Sequence, residues 1–316
     1  MFVTLTLSPA VDCTLAVEGS LALGQVHRVI TEVRTPGGKG INVAKILARH
    51  GVPVVAGGII GEDHAAFFER FLEGLGVDPF FMAVPDATRT NIMASDQDGQ
   101  EIKFNRAAFP DLAPDWDALR AYCTRLAARG EVVIISGSLP ARFPADTYAR
   151  LVRLFHEAGR SVALDTSGPA LALAAREHPA VIKPNRAELK EMMGSPVNDE
   201  RQVVAIMRSL VKKHAAVIVS DADKGAWFAD NALLLHAAAP DVTAVDTTGA
   251  GDALLGQFCF EFFARSGRRL TRECAARAVA AGSACVEVRG TPVLDPRRVD
   301  ELAAQTTVRE LSVPAA

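Results

Sequence analysis

A chain of 316 residues with 49% apolar and 22% charged positions is long enough to bury a sizeable core. Its net charge of −3 and pI near 6.2 provide no basic field for a nucleic-acid backbone, so any anion must be held by a local cluster and the expected ligand is small. The chain opens on Phe2-Val3-Thr4-Leu5-Thr6-Leu7 without the basic and apolar regions of a leader, and no apolar run reaches membrane-spanning length, which predicts a soluble, cytoplasmic protein with neither membrane nor nucleic acid as partner. Cys13, Cys123, Cys259, Cys274 and Cys285 show no metal or redox spacing, and buried, reduced thiols are expected.

In chain order, Phe2 to Leu7 predicts a buried strand. Val11 to Thr35 lacks a helical pattern, a glycine turn follows, and Val43 to His50 reads as a helix. Pro53 to Ile60 is a second strand, and Thr90 to Arg106 reads as two strands about Asp98-Gly99. Helices over Asp115 to Arg129, Pro144 to Ala158 and Glu200 to Lys213 then alternate with strands Val132 to Ser136, Ser161 to Asp165, Val181 to Lys183 and Ala216 to Ser220. Trp227 to His236 predicts an antiparallel hairpin at the sheet edge, and Ala253 to Ala264 and Thr271 to Val286 predict closing helices. The alternation implies an α/β fold with a mainly parallel sheet covered on both faces. The two segments that break it, about 11–35 and 88–107, are expected to form a small β-lid over the strand ends within one domain spanning 1–316.

The most informative stretch is Val245-Asp246-Thr247-Thr248-Gly249-Ala250-Gly251-Asp252, which leads into an apolar helix. Gly249 and Gly251 let backbone N–H groups converge on an anion at a helix N-terminus. A carboxylate beside such a hole would be repelled by phosphate unless it took a proton from an attacking hydroxyl, although Asp252 could instead cap the helix. A second turn, Pro36-Gly37-Gly38-Lys39-Gly40-Ile41-Asn42, also feeds a helix and is neither a Walker loop nor a dinucleotide fingerprint.

A two-residue hairpin at Asp98-Gly99 would set Asn91 opposite Arg106 and place Arg89, Asn91 and Arg106 on one face. A one-residue slip would put Lys103 there instead, so the sequence leaves Lys103 and Arg106 both open. Such a cationic face suits a phosphate carried by the substrate. Lys183-Pro184-Asn185-Arg186-Ala187-Glu188 leaves a predicted strand and reads as a capping box, or as an amide and a carboxylate that help hold Mg²⁺ beside a triphosphate, directly or through water. Ser136-Gly137-Ser138-Leu139-Pro140 and Asp165-Thr166-Ser167-Gly168 also end predicted strands and so fall at the ligand-binding edge.

Together and in this order, these pieces resemble the PfkB, or ribokinase-like, carbohydrate kinases, from Ser8-Pro9-Ala10-Val11-Asp12 to Ala281-Gly282-Ser283-Ala284. The signatures are Gly37-Gly38-Lys39-Gly40-Ile41-Asn42-Val43-Ala44 and Asp246-Thr247-Thr248-Gly249-Ala250-Gly251-Asp252, while Thr88-Arg89-Thr90-Asn91 looks most like the phosphofructokinase and tagatose-6-phosphate kinase branch. The resemblance implies a ribokinase-like three-layer αβα sandwich with a β-lid, using ATP and Mg²⁺ to phosphorylate a ketohexose phosphate. Fructose 1-phosphate is expected ahead of fructose 6-phosphate or tagatose 6-phosphate; a neutral-sugar kinase or a non-catalytic binding protein is the alternative class.

In that reading Asp252 is the base and Gly249, Ala250 and Gly251 form the anion hole. Asp12, Gly38, Lys39, Asn42 and Ser138 bind the sugar, and Arg89 with Lys103 or Arg106 binds its phosphate. Lys183, Asn185, Ser220, Gly225, Thr247 and Ser283 lie on the nucleotide side, and Asn185 and Glu188 match the metal motif. Relatives usually carry Ser-Leu-Gly where this chain has Ser220-Asp221-Ala222. Exposed strand edges on the lid predict a homodimer.

Overall fold

The computed structural model describes residues 1–291 and 293–311. Ten strands form the main sheet, in spatial order Val308–Glu310, Leu234–Ala237, Ala226–Ala229, Ala216–Ser220, Val181–Ile182, Ser161–Asp165, Val132–Ser136, Phe2–Thr6, Val54–Gly61 and Val77–Val84. From Ala216–Ser220 to Val77–Val84 every pairing is parallel, and the remaining three strands are antiparallel. The parallel strands are apolar runs because both of their faces are covered. Phe2–Thr6 is buried at all five positions, and its side chains alternate between two cores.

Val3 and Leu5 join the core under helices Trp116–Ala127, Thr147–Glu157, Gly168–Ala175, Arg186–Met193 and Glu200–Leu210. Phe2 joins the opposite core under Lys39–Ala48, Ala65–Gly74, Ala250–Cys259 and Arg272–Val286. This is the expected αβα sandwich. The predicted edge hairpin forms, but Val308–Glu310 pairs outside it, so Leu234–Ala237 is not the outermost strand. That last strand is only three residues long, too short for a periodic signal.

The lid is a four-stranded sheet in the order Val29–Gly37, Ala10–Val17, Thr90–Ser95, Glu101–Phe104. Its last hairpin departs from the two-residue turn. Met93 pairs with Lys103 and Ser95 with Glu101, while the N–H of Asp96 donates to the carbonyl of Gln100, leaving Gln97-Asp98-Gly99 as a three-residue loop. Gly99 has φ 80°, the left-handed residue that such a loop requires. Asp96 fixes the loop by accepting from the N–H groups of Asp98, Gln100 and Leu21. The register is therefore the slipped one. Asn91 does not face Arg106; Asp12, Asn91, Met93 and Lys103 share a lid face, and Arg106 lies beyond the strand, exposed.

Candidate active site

The carboxyl ends of the central parallel strands carry Ser8, Ser136, Asp165, Lys183 and Ser220 within two residues of their last strand position. The strand order reverses direction on either side of Phe2–Thr6, and a crevice at such a switch point is where open α/β sheets bind ligands. The two glycine turns meet there. Helix Lys39–Ala48 starts after Gly38, whose φ of 116° and whose 3.0 Å approach by the Pro9 backbone to a hypothetical Cβ exclude a larger residue. Helix Ala250–Cys259 starts after Gly249, at φ 82°, where an added Cβ would lie 2.8 Å from Thr291 Cγ2.

Asp252 sits in the first turn of that helix and does not cap it, since the helix has no side-chain cap at all. It is 5% exposed, and Asn42 Nδ2 donates to its Oδ2 at 2.8 Å. Burial pushes its pKa up to about 6, although the ammonium groups of Lys39 and Lys183 and the bond from Asn42 pull the other way. Near neutral pH the carboxylate is mostly ionised yet close to its proton affinity, which suits a general base.

Beside it stands Asp165, fully buried, with Lys39 Nζ 3.5 Å from one oxygen and Lys183 Nζ 3.2 Å from the other. Burial alone would raise its pKa, but the two lysines outweigh this and hold it below the usual carboxylate range. Asp165 in turn keeps the ammonium of Lys39 above its ordinary range. Sequence reading placed Asp165 at the sheet edge without assigning it a role, because its partners lie 126 positions away at Lys39 and 18 positions away at Lys183. The only available signal was a carboxylate ending a buried strand.

On the lid, Asp12 Oδ1 accepts from Asn91 Nδ2 at 3.0 Å, and burial raises the pKa of Asp12 despite that bond. Arg89 is anchored to three backbone carbonyls, those of Ser8, Pro9 and Arg106, so only part of its guanidinium is open to a ligand. Lys103 Nζ lies 3.0 Å from Asp246 Oδ1, joining the lid to the Gly249 turn. Ser138 is exposed and gives its carbonyl to the Tyr148 hydroxyl at 3.2 Å.

On the far side of the crevice, Asn185 and Glu188 form a complete capping box, each side chain accepting the other's N–H at 2.8 Å. Ser220 bridges Asn185, and Gly225 has φ 92° with the Ala237 carbonyl against it. The turn between them contains Ala222 at φ 48°, in the left-handed region that favours glycine, and Asp221 held by Arg186 at 3.1 Å. Thr247 is exposed beside the anion turn, and Ser283 is 7% exposed on helix Arg272–Val286.

These residues fit a polyphosphate. The first-turn N–H groups of helix Ala250–Cys259 lack intrahelical partners, Ala250 donating only to the Thr247 carbonyl before the helix at 3.4 Å, and Lys183 Nζ lies 3.4 Å from where a Cβ at Gly251 would stand. Ser8 Oγ, Asn91 Oδ1 and Thr166 Oγ1 are buried at the same edge without protein partners. No cluster of three or more His, Cys, Asp or Glu side chains forms a metal cage among the described residues. That donor set suits a magnesium ion carried mainly by phosphate oxygens and water, as is usual for this cation.

Residues 5–296 match the family model described as pfkB family carbohydrate kinase. The chain is 36% identical over 313 residues to the 1-phosphofructokinase of Rhodobacter capsulatus, covering 98% of this chain and 97% of that one. It is 33% identical over 259 residues to the 1-phosphofructokinase of Bacillus subtilis, covering 82% and 84% of the two. Among solved structures, phosphofructokinase-2 from Escherichia coli in complex with substrates and products superposes with a TM-score of 0.86 at 25% identity, over 96% of this chain and 98% of that one. With two glycine turns, a buried carboxylate and a β-lid at one sheet edge, and a family match across nearly its whole length, the chain belongs to the pfkB family of carbohydrate kinases.

Proposed function

We propose that this protein transfers the γ-phosphoryl group of Mg-ATP to the free hydroxymethyl group of fructose 1-phosphate, giving fructose 1,6-bisphosphate and ADP. The observation that carries the reaction type is the buried Asp252, held by Asn42 at the mouth of the glycine turn. The substrate is supported by the relatives named 1-phosphofructokinase at 36% and 33% identity.

Asp252 takes the proton of the attacking hydroxyl as that oxygen bonds to phosphorus and the bond to the leaving ADP oxygen breaks. The N–H groups of Gly249, Ala250 and Gly251 stabilise the charge spread over the transferring group, with Lys39 and Lys183 beside them. Bound Mg-ATP supplies the phosphoryl group and a divalent charge. Glu188 offers the carboxylate oxygen not used in its cap, through water, with Asn185 adjacent. Ser220, Gly225, Thr247 and Ser283 line the nucleotide side.

Asp12, Gly38, Asn42 and Ser138 orient sugar hydroxyls, and Arg89 and Lys103 hold the existing phosphate. Arg106 contributes its carbonyl to Arg89 rather than a side chain to the ligand. The lid excludes water, which would otherwise compete for the phosphoryl group. Exposed Val29, Ile30, Val33 and Phe104 on open lid strands support association of two copies through the lid, in the cytoplasm. A monomeric mass at micromolar concentration overturns the dimer.

The experiment is ADP release from Mg-ATP with fructose 1-phosphate, fructose 6-phosphate, tagatose 6-phosphate, fructose and ribose, run beside Asp252→Asn. Selective turnover of fructose 1-phosphate that is lost in the variant supports the reading. Preference for fructose 6-phosphate favours the second reading, which the likeness to phosphofructokinase-2 from Escherichia coli at 25% identity motivates. Turnover of neutral sugars alone overturns both.

A further inference from the structure

Lys45 is 1% exposed and lies on the same helix face as Asn42, one turn behind it. Burying an ammonium is expensive without a counter-ion, yet no carboxylate lies within ion-pair distance of Lys45 among the described residues. Its donors go instead to the Pro36 carbonyl at 2.7 Å, Thr291 Oγ1 at 3.1 Å and Asn42 Oδ1 at 3.4 Å, with the charge 5.3 Å from the centre of the Phe71 ring. Pro36 is the last residue but one of the lid strand Val29–Gly37 that enters the first glycine turn, and Thr291 packs against Gly249 of the second. This single cation thus links the lid strand and helix Lys39–Ala48 to Thr291, the residue packed against the second glycine turn.

The chemistry of the partners gives the contact with Asn42 a direction. An ammonium only donates, so the amide must turn its oxygen to Lys45 and its nitrogen to Asp252. An ionised carboxylate only accepts, so the amide in that orientation matches Asp252 without its proton. Were the amide turned over, its oxygen would face Asp252 and match the protonated form. We propose that Lys45 is a positioning residue for phosphoryl transfer, which by orienting the Asn42 amide selects the proton-accepting form of Asp252. The inference rests on the kinase reading above for its kinetic consequence, but not for its effect on Asp252 ionisation.

The charged and titratable groups facing this chain of bonds are Lys39 on the same helix, Asp12 on the lid, Asp165 and Lys183 at the strand ends, and Cys285 on helix Arg272–Val286. None of these groups is itself substituted in the Lys45 variants.

The test compares wild type with Lys45→Gln, Lys45→Met, Asn42→Ala and the Lys45→Gln/Asn42→Ala pair, each checked for a folded transition and for ADP binding. For Lys45→Gln, the acid limb of the kcat–pH profile is expected to move up by roughly 0.5 to 1 pH unit, with kcat at pH 5 about 3- to 10-fold lower and KM for fructose 1-phosphate changed by less. On the Asn42→Ala background the same replacement should leave the limb where it is, because the effect passes through that amide. A folded Lys45→Gln protein with an unmoved acid limb, or a shift that persists without Asn42, overturns the proposal. If neither Lys45 variant folds, Asn42→Ala alone must raise the limb, and an unmoved limb again overturns it. Carbon-13 NMR of labelled aspartate, with the Asp252 signal assigned by its loss in Asp252→Asn, follows the same titration without turnover. A protein inactive on every sugar therefore fails the kinase reading while still deciding this one.

Discussion

Lys103 Nζ of the lid and Asp246 Oδ1 of the anion turn are 3.0 Å apart across 143 positions of chain. Asp246 is held independently by the N–H and hydroxyl of Thr248 and the N–H of Gly290, which together with Lys103 keep its carboxyl below the usual range against the effect of burial. The lysine is partly exposed, so the pair contributes little to stability. Lys103→Met should change unfolding free energy by less than about 1 kcal/mol, while raising KM for the sugar phosphate by roughly 10-fold. Asp246→Asn should cost about 1 to 3 kcal/mol, because it weakens three donors inside the turn as well. Denaturant melts beside initial-rate kinetics separate the two; equal destabilisation would mean that the ion pair itself holds the lid.

For Asp252 the sign of the pH effect follows from its raised pKa of about 6 against an ordinary value of 3.8. Between those values the folded state binds more protons than the unfolded one, so this group's contribution to stability is present at low pH and is lost as pH rises toward 6. At pH 7.5 the buried charge costs roughly 3 kcal/mol relative to its protonated form. Asp252→Asn should therefore melt higher than wild type at pH 7.5, with the difference shrinking below pH 4, while turnover falls by roughly 10² to 10⁴. Calorimetry at the two pH values is the check. An unaltered kcat would remove Asp252 from the mechanism.

Asp165 is the shared counter-charge of Lys39 and Lys183. Replacing it with Asn leaves two ammonium groups beside each other, one of them buried, and should cost about 3 to 5 kcal/mol. A polyphosphate would restore part of the lost neutralisation. ADP should raise the melting temperature of Asp165→Asn by more than it raises that of wild type, and a smaller rise would count against placing both lysines at the phosphates.

Ala222 at φ 48° occupies a conformation that costs an L-residue about 1 kcal/mol or more relative to glycine. Ala222→Gly should stabilise the protein by roughly 0.5 to 1 kcal/mol after allowing for glycine's greater unfolded-state entropy. The shift in denaturant midpoint at unchanged m-value is the measurement.

Local pattern made much of this molecule legible. Strands Val132–Ser136, Ser161–Asp165 and Ala216–Ser220 are continuous apolar runs bounded by polar turns, and period and composition determine such elements. The two glycine turns were readable for the same reason, since their chemistry lies in adjacent residues. The hairpin register was not: two- and three-residue loops around Asp98-Gly99 differ by one residue, and Asp96 decides between them partly through the N–H of Leu21, 75 positions away. Lys45 and Asp165 also escaped assignment. Each is an ordinary residue in its own segment, one on a helix face and one at a strand end, and Thr291 beside Lys45 and Lys39 beside Asp165 come within reach only when folding brings distant segments together. Neighbours within a few positions set which backbone elements form and which residue types crowd the turns, so both are legible in the chain. Desolvation and charge pairing depend on distance in space, so it is the folded arrangement that sets which carboxylate is buried, which lysine neutralises it and which way an amide points.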